Sequence, residues 1–515
     1  MVSPRAHRFV AASAITSALL VPLGATSASA GTTWSEPRTA AAPFSWTPGK
    51  ALASSSGFVL SAWASDCPPP KGACATNHGP RMGVFVQRAR DDAVGLKWSS
   101  PRRVSPGNVQ AERATITARG TRAIAGWVTQ TKVTGYKPGA RRVFWIRRSR
   151  DQGKHWGAPI RLSAAKGRVD YPRVALAGGR AFAVWTDAKS GNIRLATSTD
   201  GGAHWSTKTI GSTNAHAGRP REGRSGLPDL GASGQNLAVT WYTNDQGRQV
   251  ILTSATAGDD LDAGSTPTVL ANTSPPNGIR YAGAAGASDG ASNRVAVAYS
   301  TPSGISTRVW NGVTLGSEST VVSWPLTADG QTYASAYGPA VLPSGSSDLM
   351  VAFAGCRARG MPDPCDTFDP AARVDIVVVT SSNDGGGWGS ANAVTDSAKQ
   401  PYRTNAEPSL ALSGSRFRLS FDRYQSTFKD YRVWIRSRPS VSVSRDTVRF
   451  YAPPPGRRPA EPHLDVRGAD APTRARPGAP RPDVARPRSR DAVRAVPFGP
   501  HGGHAVHDRR GLARP

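Results

Sequence analysis

Ser198-Thr199-Asp200-Gly201-Gly202-Ala203-His204-Trp205 decides the fold, because it recurs. Ser149-Arg150-Asp151-Gln152-Gly153-Lys154-His155-Trp156 repeats it with the same spacing, and Ser382-Asn383-Asp384-Gly385-Gly386-Gly387-Trp388 reads as a copy shortened by one residue. These residue types describe a tight turn. A short Asp side chain accepts backbone N–H bonds, Gly supplies positive φ, and Trp packs on the neighbouring repeat. On this reading Ser149, Asp151, Gly153, Trp156, Ser198, Asp200, Gly202, Trp205, Ser382, Asp384, Gly386 and Trp388 are structural. His155 and His204 are exposed turn residues, not general bases.

Outward from the turns, a longer unit repeats. Seven apolar runs end in an aromatic: Phe58 to Trp63, Ala123 to Trp127, Ala181 to Trp185, Leu237 to Trp241, Val295 to Tyr299, Leu349 to Phe353 and Phe417 to Phe421. Their spacing of about 50–70 residues is the period of four-stranded propeller blades. Each run reads as a second strand, and third strands follow at 143–146, 193–196, 376–379 and 433–435. The expected fold is therefore an all-β propeller of four-stranded antiparallel blades. Seven blades are preferred, with six or eight open because the fourth and fifth repeats show no Asp turn. Trp34-Ser35-Glu36-Pro37 matches Trp98-Ser99-Ser100-Pro101 yet precedes the first complete unit, while the last unit lacks a fourth strand. The N-terminal strand is therefore expected to close the last blade, which removes two open sheet edges.

The termini lie outside this pattern. Residues 1–30 carry Arg5 and Arg8, an apolar stretch and Ala28-Ser29-Ala30, the signature of a secretory signal peptide, which implies a secreted, extracellular protein with no membrane span. The propeller is expected over 31–438. Residues 439–515 form an Arg/Pro/Ala-rich tail whose composition cannot bury a core, so it is expected to be disordered, whether as a functional polybasic segment or as a reading-frame artefact. The net charge is +29; the tail from Val441 holds 15 Arg against 7 acidic residues and the first 30 residues add two Arg, leaving +19 for 31–440. Such a surplus suits an anionic polymer, while no nucleic-acid-binding motif is present. Cys67 with Cys74 and Cys356 with Cys365 form two close pairs, read as loop disulfides in an oxidising compartment. Neither spacing suits a zinc site, and no metal or cofactor is expected.

The Ser-x-Asp-x-Gly-x-x-Trp turns, the Trp-x-x-Pro strands and the signal sequence resemble the Asp-box, or BNR-repeat, proteins of the sialidase-like superfamily over roughly residues 31–438. The resemblance implies that the boxes join third to fourth strands on the face away from the ligand. The starts of the first strands then lie on the ligand face. Glu112, Arg113, Tyr171, Arg173, Arg280, Tyr281, Tyr402 and Arg403 there are candidate ligand-binding residues, and Asp170, Asp229, Tyr333, Tyr337 and Glu407 are candidate catalytic ones. Arg forks suit carboxylates, tyrosines offer sugar-stacking faces, and carboxylates supply acid–base chemistry. A sialidase mechanism, as the resemblance implies it, uses an arginine triad, a Tyr nucleophile with a Glu, and an Asp acid/base. The Arg-Ile-Pro motif of that family is absent, since Ala42-Pro43-Phe44-Ser45-Trp46 contains no Arg. Three functions follow as expectations for a monomer: a propeller binding a glycan or anionic extracellular polymer through its loop face, an exo-acting glycoside hydrolase, or a protein-interaction scaffold.

Overall fold

Short runs rich in β-branched and aromatic residues, bounded by Gly turns, favour strands whose side chains pack on both faces. The computed structural model describes residues 38–39, 45–46, 52–55, 57–65, 82–92, 95–107, 109–130, 141–213, 226–243, 248–272, 282–286, 293–357, 373–398, 404–413, 416–424 and 432–439. The chain divides into units 1–444 and 445–515, and every described residue belongs to the first. That unit is all-β, built largely from four-stranded antiparallel sheets consistent with propeller blades. The expected signal peptide, tail, Cys67, Cys74 and Cys365 lie outside the described residues. Cys356 is buried and disulfide-bonded.

Four consecutive sheets show the pattern plainly. Gln110–Arg119, Arg122–Gln130, Arg142–Ser149 and Ile160–Arg161 pair in chain order. So do Val169–Ala177, Arg180–Asp187, Asn192–Ser198 and Ser206–Ser212. Gly226–Ser233, Asn236–Thr243, Arg248–Ser254 and Thr268–Asn272 repeat the arrangement, as do Ala282–Gly286, Val295–Thr301, Gly304–Trp310 and Ser319–Ser323. Ahead of these, Leu52–Ser55, Phe58–Ser65 and Gly83–Asp92 form a sheet whose outer edge is shared by Gly95–Trp98 and Arg102–Arg103. The last sheet has nine strands in two antiparallel parts, 326–393 and 404–439, joined by one parallel pairing of Val374 with Thr404. Its far edge is Arg38–Thr39, antiparallel to Arg432–Pro439 with Arg38 opposite Ile435 and Thr39 opposite Trp434. Trp34 to Pro37, expected as that outer strand, lie outside the described residues.

The first strands lie side by side in chain order. Leu52–Ser55 neighbours Gln110–Arg119, which neighbours Val169–Ala177, then Gly226–Ser233, Ala282–Gly286, Gln331–Ser344 and Thr404–Ser413; the last neighbours Leu52–Ser55 again. Cores fill the spaces between successive sheets. Phe58 and Leu60 pack with Ile116 and Trp127, Phe144 and Ile146 with Leu176 and Trp185, and Phe182 and Leu195 with Leu237 and Trp241. Met350 and Ile376 meet Phe417 and Phe421, and Trp63 and Phe85 meet Ala411. Close approach of backbones accounts for the small residues of Ala282–Gly286, because a Cβ on Gly286 would run into the Ala232 carbonyl.

The recurring turns join third to fourth strands and are closed by local hydrogen bonds. Ser149 Oγ accepts from Gly153 N–H (2.8 Å) and donates to Asp151 Oδ1 (2.8 Å), which also accepts from His155 N–H (2.9 Å). Ser198, Gly202, Asp200 and His204 repeat this, and Trp205 Nε1 donates to the Gly202 carbonyl at 3.0 Å. The third turn corrects the sequence reading. Ser381 and Asn383, not Ser382 and Asp384, take the Ser and Asp positions, with Ser381 Oγ donating to Asn383 Oδ1 (2.8 Å) and accepting from Gly385 N–H (3.0 Å) rather than Gly386. The motif is thus full length, ending at Trp388, and Asn replaces Asp because the amide oxygen accepts the same bonds. Asp384 instead pairs with Arg294. A fourth turn, missed in the sequence, spans 254–261. Ser254 Oγ accepts from Gly258 N–H (2.7 Å), Thr256 stands at the Asp position and Leu261 at the Trp position.

Candidate functional site

Five of the first strands carry a β-bulge at an equivalent place. Register shifts occur between Glu112 and Thr115, Asp170 and Arg173, Gly226 and Asp229, Tyr337 and Ala340, and Ala406 and Ser409. The bulged residues Arg113, Tyr171, Leu227, Gly338 and Glu407 all have positive φ, from 38° to 59°. Pro172, Pro228, Pro339 and Pro408 follow four of them; proline has no N–H, so no ladder bond is lost where the strand bends. A non-glycine residue held there costs about 1–2 kcal/mol. Such bulges re-aim side chains and are over-represented beside functional sites.

The seven first strands line a cavity of about 180 Å³. Tyr171, Arg173, Asp229 and Glu407 belong to its polar lining, and Leu227, Gly338 and the small residues of 283–286 are among the less polar. Tyr171 also belongs to a buried ionic network. Arg113 Nη2 lies 2.9 Å from Asp170 Oδ1, and Arg142 Nη1 lies 3.4 Å from the same oxygen. Arg142 Nε is 3.8 Å from Glu112 Oε1, which also accepts from Gln130 Nε2 at 2.8 Å. The Arg113 guanidinium sits over the Tyr171 ring, 4.3 Å from its centroid. Arg173 holds Asp229 only loosely at 3.7 Å, while Asp229 accepts backbone N–H bonds from Leu230 (2.8 Å) and from Ala284 in the next sheet (3.0 Å).

The electrostatics separate the groups. Burial alone would lower the Arg113 pKa, but Asp170, Tyr171 and Glu112 outweigh it and raise it, so this cation is permanent. Burial raises the Tyr171 pKa against the opposing pull of Arg113, so the phenol is neutral at physiological pH. Glu407 is half-buried and makes no hydrogen bond among the described residues; burial raises its pKa, partly offset by Arg173 and Arg113. Two carboxyl groups on one cavity thus differ in character. Asp229 is hydrogen-bonded as an acceptor, whereas the Glu407 environment favours its protonated form.

The sequence-derived residues distribute unevenly. Glu112, Arg113, Asp170, Tyr171 and Arg173 come together in or beside the cavity, with Asp229 and Glu407. Tyr333 does not join them. It is buried and donates to Asp375 Oδ2 at 3.2 Å, in a network where Asp375 also meets Arg357 Nε (2.6 Å), Thr395 Oγ1 (3.2 Å) and Ser397 (2.6 Å to its N–H, 3.0 Å to Oγ). Burial raises the Tyr333 pKa, and Asp375 adds to the rise. Because every group there already binds Asp375, Tyr333 serves packing. Tyr337 packs beside the core between the last two sheet parts. Arg280, Tyr281, Tyr402 and Arg403 lie outside the described residues. Gln130 and Arg142 were missed, since they end a second strand and begin a third. Their directly opposed register across one hairpin is the signal that places them at the Glu112 end. Among the described residues no group of three or more His, Cys, Asp or Glu is placed to hold a metal ion, and no helix is long and apolar enough to cross a membrane.

The sequence matches no family profile, and no curated protein is similar to it. Solved structures do resemble it in shape. A Trypanosoma rangeli sialidase aligns with TM-score 0.40 and 10% identity over 77% of this chain and 55% of its own. A leech intramolecular trans-sialidase gives 0.42 and 11% over 80% and 70%. An α-L-arabinofuranosidase of Fusarium graminearum gives 0.40 and 13% over 65% and 95%. The chain spans 55% of the length of the trypanosomal enzyme. At these values the likeness carries no argument about chemistry, and the names describe those proteins only.

Proposed function

We propose that residues 31–438 form a secreted, seven-bladed propeller of the Asp-box kind that binds a glycan bearing acidic groups at the mouth of its axial cavity. The cyclic adjacency of the seven first strands and the pairing of Arg38–Thr39 with the final strand support the blade count and the closure. The observation that carries the function is the cavity wall itself, where Tyr171, Arg173 and Glu407 stand on bulged strands over a buried ionic network. Arg173 gives Nη1 to the Pro172 carbonyl (3.0 Å) and lies 3.7 Å from Asp229, so its remaining N–H groups can donate to a carboxylate. Tyr171 offers a ring already fixed by Arg113, and Leu227 with the Gly/Ala side receives a sugar's less polar face. A cavity of about 180 Å³ fits one sugar residue, not a buried oligosaccharide. Glycan-array binding by the wild type, reduced about tenfold or more (about 1.4 kcal/mol) in Arg173→Ala, is expected. A wild type that binds no glycan, or an unchanged variant, refutes the proposal.

A second reading, exo-acting glycoside hydrolysis, is favoured by Glu407, whose burial raises its pKa, on the same cavity as the hydrogen-bonded carboxylate of Asp229. A carboxyl with a raised pKa is the general acid of such enzymes. Turnover of a fluorogenic glycoside that disappears in Glu407→Gln would support it, and the absence of turnover across sialosides and pentofuranosides would remove it.

A further inference from the structure

The end of the sheets that carries the Ser-x-Asx turns is strongly basic over its first three sheets. The turn at 149–156 is bound to the hairpin at 119–122 by Gln152 N–H donating to the Thr121 carbonyl (2.7 Å). From the preceding sheet, Arg88 donates to the Gln152 carbonyl (3.0 Å) and Oε1 (2.7 Å). Toward the following sheet, Arg122 Nη1 donates to the Gly179 carbonyl (3.2 Å), and Arg148 lies against Gly202. These contacts gather Arg88, Arg122, Arg148, Arg150 and Lys154 into one continuous area. None of the five forms an ion pair among the described residues. Asp151 and Asp200 in these turns are already engaged. Partial burial opposes ionisation of Asp151, yet hydrogen bonds from His155 and Ser149 bring its pKa down to about 2, and Asp200 is held by His204 and Ser198 in the same way.

We infer that this turn face is a docking surface for a linear acidic polysaccharide, separate from the axial cavity and independent of the ligand proposed there. Four Arg to one Lys favours planar recognition of carboxylate or sulfate groups. Among the described residues the exposed large apolar side chains are Val269 and Val313, both in later sheets, so this face has no apolar wedge for a lipid surface. Arginines without acidic partners, gathered on neighbouring turns, suit a polyanionic chain, and binding must weaken with salt as counterions are released.

The test uses the full chain and fluorescently labelled dextran sulfate and polygalacturonate, titrated by anisotropy at low and moderate salt. Arg150→Gln/Lys154→Gln, two exposed positions whose side chains make no hydrogen bond or ion pair among the described residues, is expected to bind the preferred polymer about fivefold more weakly with a shallower salt dependence. Arg173→Ala, in the cavity, is expected to leave polymer binding unchanged. The stronger of the two polymers identifies the acid, sulfate or uronate. Undiminished binding by the double variant overturns the inference, as does loss in Arg173→Ala alone. Tighter binding to a single-stranded oligonucleotide or to anionic phospholipid vesicles than to either polysaccharide overturns it as well.

Discussion

Substitution of Glu407 separates the forces that meet at one residue. Its φ of 52° lies in the left-handed region, where a Cβ costs about 1–2 kcal/mol. Its carboxyl is half-buried, and burial raises its pKa above the ordinary 4.5. Glu407→Gly removes both Cβ and carboxyl, Glu407→Ala removes only the carboxyl, and Glu407→Gln keeps the shape without titrating. The relief of backbone strain, less the ~0.5–1 kcal/mol that glycine's freedom costs in the unfolded chain, leaves Glu407→Gly more stable than Glu407→Ala by about 0.5–1 kcal/mol. The pH dependence has a definite sign. A carboxyl with a higher pKa folded than unfolded binds more protons when folded, so its contribution is intact below about pH 4.5 and declines as pH rises through the folded pKa. Glu407→Gln lacks that decline, and its stability relative to wild type should improve with rising pH. Urea unfolding followed by tryptophan fluorescence, from about pH 4 to about pH 8, measures both effects. An alanine variant as stable as the glycine one, or a gap between wild type and Glu407→Gln that does not change with pH, would refute the reasoning. All three variants should lose glycan affinity, the combination expected where strain is held for function.

Other outcomes follow from the same geometry. Asp375→Ala leaves the buried Tyr333 hydroxyl and Ser397 N–H without their acceptor and Arg357 with Asp396 as its remaining carboxylate and should cost about 1–3 kcal/mol in urea unfolding; a loss below about 0.5 kcal/mol would show that the network contributes little. Ser381→Ala removes an acceptor and a donor from its turn and should cost about 1–2 kcal/mol, whereas exposed Ser382→Ala should stay within about 0.5 kcal/mol. The reverse order would restore the sequence-derived register. Gly286→Ala drives a methyl group into the Ala232 carbonyl and should cost at least about 1–3 kcal/mol, read as a lowered thermal midpoint; a neutral result would mean that the first strands are less tightly set than described.

What the sequence by itself determined is what neighbouring residues encode. Alternation and terminal aromatics located the second strands, and Ser149 to Trp156 and Ser198 to Trp205 located two turns, because those hydrogen bonds span at most four residues. Where the local code is degenerate, sequence reading slipped. Asn383 accepts as Asp does, which moved the third turn by one residue, and Thr256 with Leu261 hid the fourth. Only the tertiary structure decided which polar groups meet. Gln130 and Arg142 reach Glu112 and Asp170 through strand register and the stacking of one sheet on the next, while Tyr333, on a strand start like Tyr171, is drawn to Asp375. Turn chemistry is short-range and therefore legible along the chain. A site assembled from seven strands depends on bulges and inter-sheet packing, which no local pattern specifies.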